Sequence, residues 1–311
     1  LRALLLATRL ARRDWDGVRV IGGRDRTTPE YLRDRHFSPR FIDNFARPFY
    51  GGIYLDRELR TSARVFAFTF KMLATGDTIV PAEGMGTLTR QLAARLPDGA
   101  ITLGTAARSL VRDGQRVVGV RTDSGELRAG RVVVATDGRS AAELTGLPLP
   151  TDGLASTAVY FGSAAPLVGH RKLMLNAAPD AFINNATQIS NIAPEYAPPG
   201  RRLVSCTVIG DPAGDDEAVI AGCRRELTAW FGQDALDAAA LTPLGVVRVP
   251  YSQFPQPPDS HDRRPRAASG VPGLYLAGEY TEDSSINGAI RSGEAAAGTV
   301  LGDLRRAAGG R

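Results

Sequence analysis

The sequence predicts an α/β fold with α+β elements, in which part of a parallel, helix-flanked sheet is interleaved with a mixed β-sheet plus helix. Three observations predict it. Val132-Val133-Val134-Ala135 is an unbroken apolar run, the mark of a strand buried on both faces. Residues 273–278 form a second such run, which leads through a turn into a helix of small residues. Between and before them lie short strand patterns punctuated by Gly, Asp and Ser.

Taken in order, residues 1–13 are apolar but broken by Arg2, Arg9, Arg12 and Arg13, and read as an amphipathic helix ended by Asp16-Gly17. Residues 28–34 read as a helix with Thr28 as cap and Pro29 at the first position. Residues 38–49 read as another, with Ser38 as cap and Pro39 first, and Gly51-Gly52 as its break. Residues 62–74 place Val65, Phe66, Phe68, Phe70, Met72 and Leu73 at helical spacing and predict a buried helix. A short extended piece (78–80), a Gly-rich turn (81–86) and a helix (87–96) follow. Strands are predicted over 100–103, 107–112, 115–122, 126–129 and 131–135, with Asp113-Gly114 and Ser124-Gly125 as hairpin turns.

Beyond residue 150 the pattern predicts strands over 156–161, 172–175, 181–184, 202–209 and 244–249. One helix, 215–231, has acidic residues in its first turn, where the helix dipole favours them. Residues 256–268 form a polar loop with three prolines. The strand 273–278 and a helix over 286–301 follow, and Gly309-Gly310-Arg311 reads as a frayed end.

Composition narrows the function classes. A chain of 311 residues suggests about two domains and buries a core without disulfides. Cys206 and Cys223 lack metal-ligand spacing, and the composition fits a reducing, cytoplasmic setting. The net charge is +5 and all basic residues but Lys71 and Lys172 are Arg, scattered without a basic stripe, so no nucleic acid partner is expected. No apolar run of membrane-spanning length occurs. The start lacks both a signal-peptide cleavage site and an initiator Met, and reads as part of a longer parent sequence. His36, His170 and His261 share no metal spacing, so no metal is expected, and no Gly-x-Ser-x-Gly supports a hydrolase. Lys172 reads as a strand-edge residue, and Phe66, Phe68, Phe70, Tyr160, Phe161 and Phe182 as either cavity lining or core.

The chemistry concentrates in residues 273–298. Gly278 ends the strand where a backbone or ligand approaches closely. Ser284 or Ser285 caps the helix, which carries Gly288, Ala289, Ser292, Gly293, Ala296 and Ala297. Its N-terminus offers free N–H groups to an anion. Tight strand–helix packing with no ligand explains the same small residues equally well.

The segment Gly273-Leu274-Tyr275-Leu276-Ala277-Gly278-Glu279, then Ser285-Ile286-Asn287-Gly288-Ala289, Ser292-Gly293 and Ala295-Ala296, resembles the C-terminal FAD motif of the flavin-containing amine oxidase superfamily, which includes phytoene desaturases and protoporphyrinogen oxidases. The resemblance implies FAD as cofactor, within a partial FAD/NAD(P)-binding, Rossmann-like domain. It gives Glu279 the carboxylate that contacts the ribityl or pyrophosphate, and turns Ile286, Asn287, Gly288 and Ala289 toward the flavin ring. Residues 80–88 resemble the family's P-x-G-G-M segment, with Glu83 departing from it and Gly84 and Met85 matching. Ala107 takes the place of a Val whose backbone contacts adenine, and residues 132–137 resemble the strand that returns to FAD. Residues 48–54 and Asn184-Asn185 resemble a phytoene desaturase-like subgroup.

Family members begin with a strand, GxGxxG and helix that hold the ADP half of FAD. No such unit occurs here; Gly84-Met85-Gly86 is nearest, and its third Gly position is Thr89. The resemblance therefore implies an incomplete chain whose missing N-terminal βαβ unit belongs to the same parent protein. It implies hydride transfer from an apolar or amine-bearing small molecule to flavin, with no side chain marked as catalytic. The rival expectation is a non-catalytic fragment or partner subunit unable to hold FAD alone. A third is an enzyme peripheral to a membrane. The expected division is a cofactor side of residues 76–146 and 269–304, and a substrate side of residues 1–75 and 147–268.

Overall fold

The computed structural model describes residues 2–13, 18 and 20–309. The first helix, α1 (Arg2–Ala11), packs Leu6 and Leu10 into a cluster shared with the helices that follow; its expected stop at Asp16-Gly17 lies outside the described residues. In α2 (Thr28–Asp34) the cap is Thr27 rather than Thr28. The Glu30 carboxylate reaches back to the Thr27 N–H at 2.9 Å, closing a reciprocal capping box that a cap at Thr28 could not form.

Ser38 does cap α3 (Pro39–Phe41), which runs through a π-helical turn (Ile42–Ala46) into α4 (Arg47–Tyr54). Gly51-Gly52 therefore does not break the chain. Both glycines lie inside α4 because neighbours press on it: a Cβ on Gly52 would stand 2.6 Å from Asn184 Nδ2, and one on Gly51 3.0 Å from Arg57 Cα. Phe37, Phe41, Phe45 and Phe49 form a ladder with ring centroids 4.8, 5.2 and 5.3 Å apart. A four-residue step overshoots an α-helical turn by about 40°, and the wider π-turn offsets that drift. The helix α5 (Ala63–Thr75), capped by Ser62, centres this core with Val65, Phe66, Ala67 and Phe68.

The helix predicted over 87–96 is α6 (Gly86–Ala93), and it buries no residue. Residues 100–103 form no strand and are exposed, because no partner strand lies beside them among the described residues. An antiparallel meander follows, β1 (Ala107–Asp113), β2 (Arg116–Thr122) and β3 (Gly125–Arg128). The second hairpin turns at Asp123-Ser124, since Gly125 already pairs with Thr122.

Then comes β4 (Val132–Val134), followed by α7 (Gly138–Thr145), a helix that the apolar pattern did not announce. Val132 and Val134 are buried, but Val133 is 43% exposed, so β4 is not covered on both faces.

The larger sheet has the order β6-β7-β8-β5-β9 and is antiparallel throughout: β5 (Leu154–Ser163), β6 (Met174–Leu175), β7 (Asn185–Thr187), β8 (Arg202–Ile209) and β9 (Thr242–Gln253). The strand expected over 181–184 begins instead at Asn185. The amides of Phe182 and Ile183 are taken by the Glu226 carboxylate at 2.8 and 2.6 Å, not by a neighbouring strand. Glu226 sits on α8 (Asp216–Phe231), whose Val219, Cys223 and Leu227 pack with Val159, Phe161, Val204 and Cys206. A short α9 (Gln233–Ala238) precedes the edge strand β9, which tolerates Pro243 and Pro250.

The chain ends with β10 (Leu274–Leu276) and α10 (Ile286–Gly309), longer than expected and helical to Gly309. β10 pairs with β4 in parallel, Leu276 opposite Val134. Among the described residues no helix is long and apolar enough to cross a membrane.

Candidate functional site

The parallel pair β4–β10 ends its two strands side by side, and each strand leads into a helix. In open α/β sheets this is where ligands settle. Beyond β4 the chain runs Thr136-Asp137 into α7; beyond β10 it runs Gly278-Glu279 through a 3₁₀ turn and Asp283-Ser284-Ser285 into α10. Ala277 N donates to Val134 O at 2.9 Å, which keeps the two exits in register.

Small residues bring α10 onto β10. Gly288, Ser292 and Ala296, at i, i+4 and i+8, are its buried positions. Gly278 N donates to Ser292 Oγ at 2.9 Å, so the strand end is hydrogen-bonded directly to the helix. A Cβ on Gly278 would meet the Tyr280 ring at 2.3 Å and Thr136 O at 3.1 Å. Gly293, by contrast, has open space around it.

Of the two candidate caps, Ser285 is the one used: its Oγ accepts from Gly288 N at 2.9 Å and donates to Asp283 Oδ1 in a short bond. The N–H groups of Ile286 and Asn287 are left with no acceptor among the described residues. Ile286, Asn287 and Ala289 are exposed. Ser284 instead turns to Glu279, donating to Oε2 at 2.9 Å. The Glu279 carboxyl is held above the ordinary carboxylate range by burial and by the nearby carboxylates of Asp283 and Asp137, against the pull of the Ser284 hydroxyl.

The structure thus brings together Gly278, Glu279, Ser285, Ile286, Asn287, Gly288 and Ala289. It also adds Asp137, which ends the 132–137 segment, and Tyr251 and Tyr280, which the sequence did not single out. Burial pushes both tyrosines up to about 12, helped by Glu279 and Asp137 for Tyr251 and by Asp137 for Tyr280. Gly138 and Gly153 make room for Tyr251: Cβ atoms there would stand 3.1 Å from its Oη and 2.4 Å from its ring. Of these, only Asp137 had a local signal, the cap spacing to Ser140.

Gly84, Met85 and Ala107 stand apart. Gly84 has a φ of +84° with open space around it, Met85 is 48% exposed, and Ala107 is exposed at the start of β1. No hydrogen bond among the described residues ties them to the 278–289 group; Tyr196 Oη, donating to Pro81 O at 2.9 Å, anchors their segment elsewhere. Of the aromatic candidates, Phe66, Phe68 and Phe161 are core, Phe70 packs against core, and Phe182 packs on Gly222. Tyr160 remains half-buried, and Lys172 is exposed.

The donor set fits the flavin end of a flavin nucleotide. Glu279 accepts hydroxyl groups, and free amides at the start of α10 suit an electron-rich ring edge. The other helix start does not suit a pyrophosphate. The Asp137 carboxylate already caps α7, accepting from Ser140 N at 2.9 Å and Ser140 Oγ at 2.6 Å, and would repel an anion there.

Comparison with known proteins agrees. The model of the flavin containing amine oxidoreductase family matches residues 8–301, and the chain belongs to that family. It is 29% identical over 136 residues to a 15-cis-phytoene desaturase of Synechococcus elongatus, a match covering 40% of this chain and 28% of that relative. The chain thus spans under a third of the curated relative that it matches. Among solved structures, an oxidoreductase of Methanosarcina mazei superposes with a TM-score of 0.65 at 18% identity, covering 92% of this chain and 69% of that one. A putrescine oxidase bound to putrescine gives a TM-score of 0.66 at 15% identity, covering 97% and 73%. These two likenesses show the fold.

Proposed function

We propose that the intact protein is an FAD-dependent oxidoreductase that takes a hydride from an apolar or amine-bearing organic molecule. The observation that supports this most is the strand–turn–helix of residues 274–289, with a half-buried carboxylate and free amides at the end of a parallel strand pair. Bound flavin would supply the hydride-accepting chemistry. The chain's own part is to bind, orient and exclude water. Glu279, aimed by Ser284, would accept the hydroxyl groups of the cofactor, and the Ile286 and Asn287 amides would face the ring. Gly84, Met85 and Ala107 are proposed to contact the cofactor's far half, reached from the outer face of β1 and α6.

Residues 76–146 and 269–304 would form the cofactor side, and 1–75 and 147–268 the substrate side. The pyrophosphate would be held by a βαβ unit of the same parent protein, since the α7 start repels anions. β4 has no second partner strand among the described residues, which supports a further strand docking at that edge, and the 43% exposure of Val133 supports a further element covering that face. Tyr160, half-buried on β5, is proposed to line the face that a small-molecule substrate would meet.

The test is a visible absorption spectrum of the purified intact protein after desalting. A retained flavin band is expected. Its absence would mean that the start of α10 packs against protein alone, and would leave this chain as a non-catalytic fragment or partner subunit.

A further inference from the structure

Gln256 lies in the loop after β9, 6% exposed, and forms three hydrogen bonds that join separate parts of the chain. Its main-chain oxygen accepts from Ser62 N at 2.8 Å, at the cap of α5. Its Oε1 accepts from Ser284 N at 3.2 Å and from Arg264 Nη2 at 2.8 Å. Both side-chain partners can only donate, so the amide orientation is fixed by chemistry.

Each partner is itself anchored. Ser62 Oγ donates to the buried Asp25 at 2.6 Å, and Arg264 Nη2 also meets His261 Nε2 at 2.8 Å. Arg264 can only donate, so His261 Nε2 accepts. The loop that aims Glu279 is therefore held from outside its own segment.

We infer that Gln256 is the positioning residue of the cofactor carboxylate: it fixes the Ser284 backbone, and the Ser284 hydroxyl in turn fixes Glu279. The inference rests on the proposed cofactor role of Glu279. It also explains how the helical core around α5 is coupled to the start of α10, two parts more than two hundred residues apart in sequence.

The experiment compares the intact protein with Gln256→Met and Gln256→Glu, measuring the Kd for FAD by flavin fluorescence quenching and the melting temperature of the flavin-free protein. Met keeps the volume, and its thioether sulfur is only a weak acceptor. Its Kd should rise about tenfold, the worth of one buried hydrogen bond, with the visible band of bound flavin shifted, and the melting temperature of the flavin-free protein should fall, since the Ser284 amide and Arg264 each lose an acceptor. Glu still accepts from Ser284 N and pairs with Arg264, so it should restore the wild-type Kd. A Met variant that binds FAD like the wild type would overturn the inference, as would a Glu variant that loses affinity as Met does. A wild-type protein that takes up no FAD would remove the cofactor role of Glu279, and this inference with it; that result is read on the wild type alone.

Discussion

Gly288 lies so close to Asp283 that a Cβ on it would stand 2.0 Å from the Asp283 carbonyl oxygen. The neighbour is backbone, so it cannot swing aside. Gly288→Ala should lower stability by about 1–3 kcal/mol, as overpacking does, and displace the start of α10. Gly288→Asp should cut flavin retention further by adding repulsion. Urea unfolding and flavin stoichiometry after desalting check both; a fully stable, fully loaded Gly288→Ala would contradict the packing.

Glu226 holds a bend in the chain with three bonds. Its carboxylate accepts from Phe182 N and Ile183 N, and from Asn176 Nδ2 at 3.1 Å. Glu226→Ala would strand two backbone donors, at a cost of roughly 2–3 kcal/mol. Glu226→Gln keeps one acceptor and should lose less. The midpoint of urea unfolding reports the order.

His261 predicts an acid sensitivity. Burial, and then the Arg264 guanidinium, lower its pKa from 6.5 to about 3. The folded state keeps it neutral while the unfolded chain takes up a proton below 6.5. The stability associated with it is complete above that pH and is lost as pH falls toward 3, by up to about 1.4 kcal/mol per pH unit for one proton. His261→Gln can still accept from Arg264 but does not titrate. Its stability should fall less steeply between pH 6.5 and 4 than that of the wild type, and parallel curves would refute this.

Asp137 should matter to α7 through its cap. Burial works against the ionised carboxyl, but the Ser140 hydroxyl and amide outweigh it and lower the pKa. The contribution is present above the ordinary value of 3.8 and lost as pH falls below it. Asp137→Ala should cost about 1 kcal/mol at neutral pH. The gap to wild type in melting temperature should narrow at pH 3.

The site was legible in sequence where its logic is local. A strand pattern ending in Gly278-Glu279 and small residues four apart on α10 announce a close strand–helix unit. Strands such as β8 and helices such as α8 followed from periodicity of two and of 3.6. Where partners come from far along the chain, the local signal misled. Gly51-Gly52 reads as a break, yet it is helical because Asn184, Asn185 and Arg57 crowd α4. Residues 181–184 read as a strand, yet a carboxylate on α8 takes two of their amides.

Sequence by itself determined the family motif, the pairing potential of β4 and β10, and the small face of α10, because these depend on residue type at short spacing. Only the tertiary structure decided that Ser285 caps while Ser284 holds Glu279. It also decided that Asp137 closes the second helix start to anions, and that Gln256 reaches Ser284. Those outcomes depend on which groups meet across the fold, and the meeting is set by packing and hydrogen-bond satisfaction among segments that the one-dimensional pattern leaves unrelated.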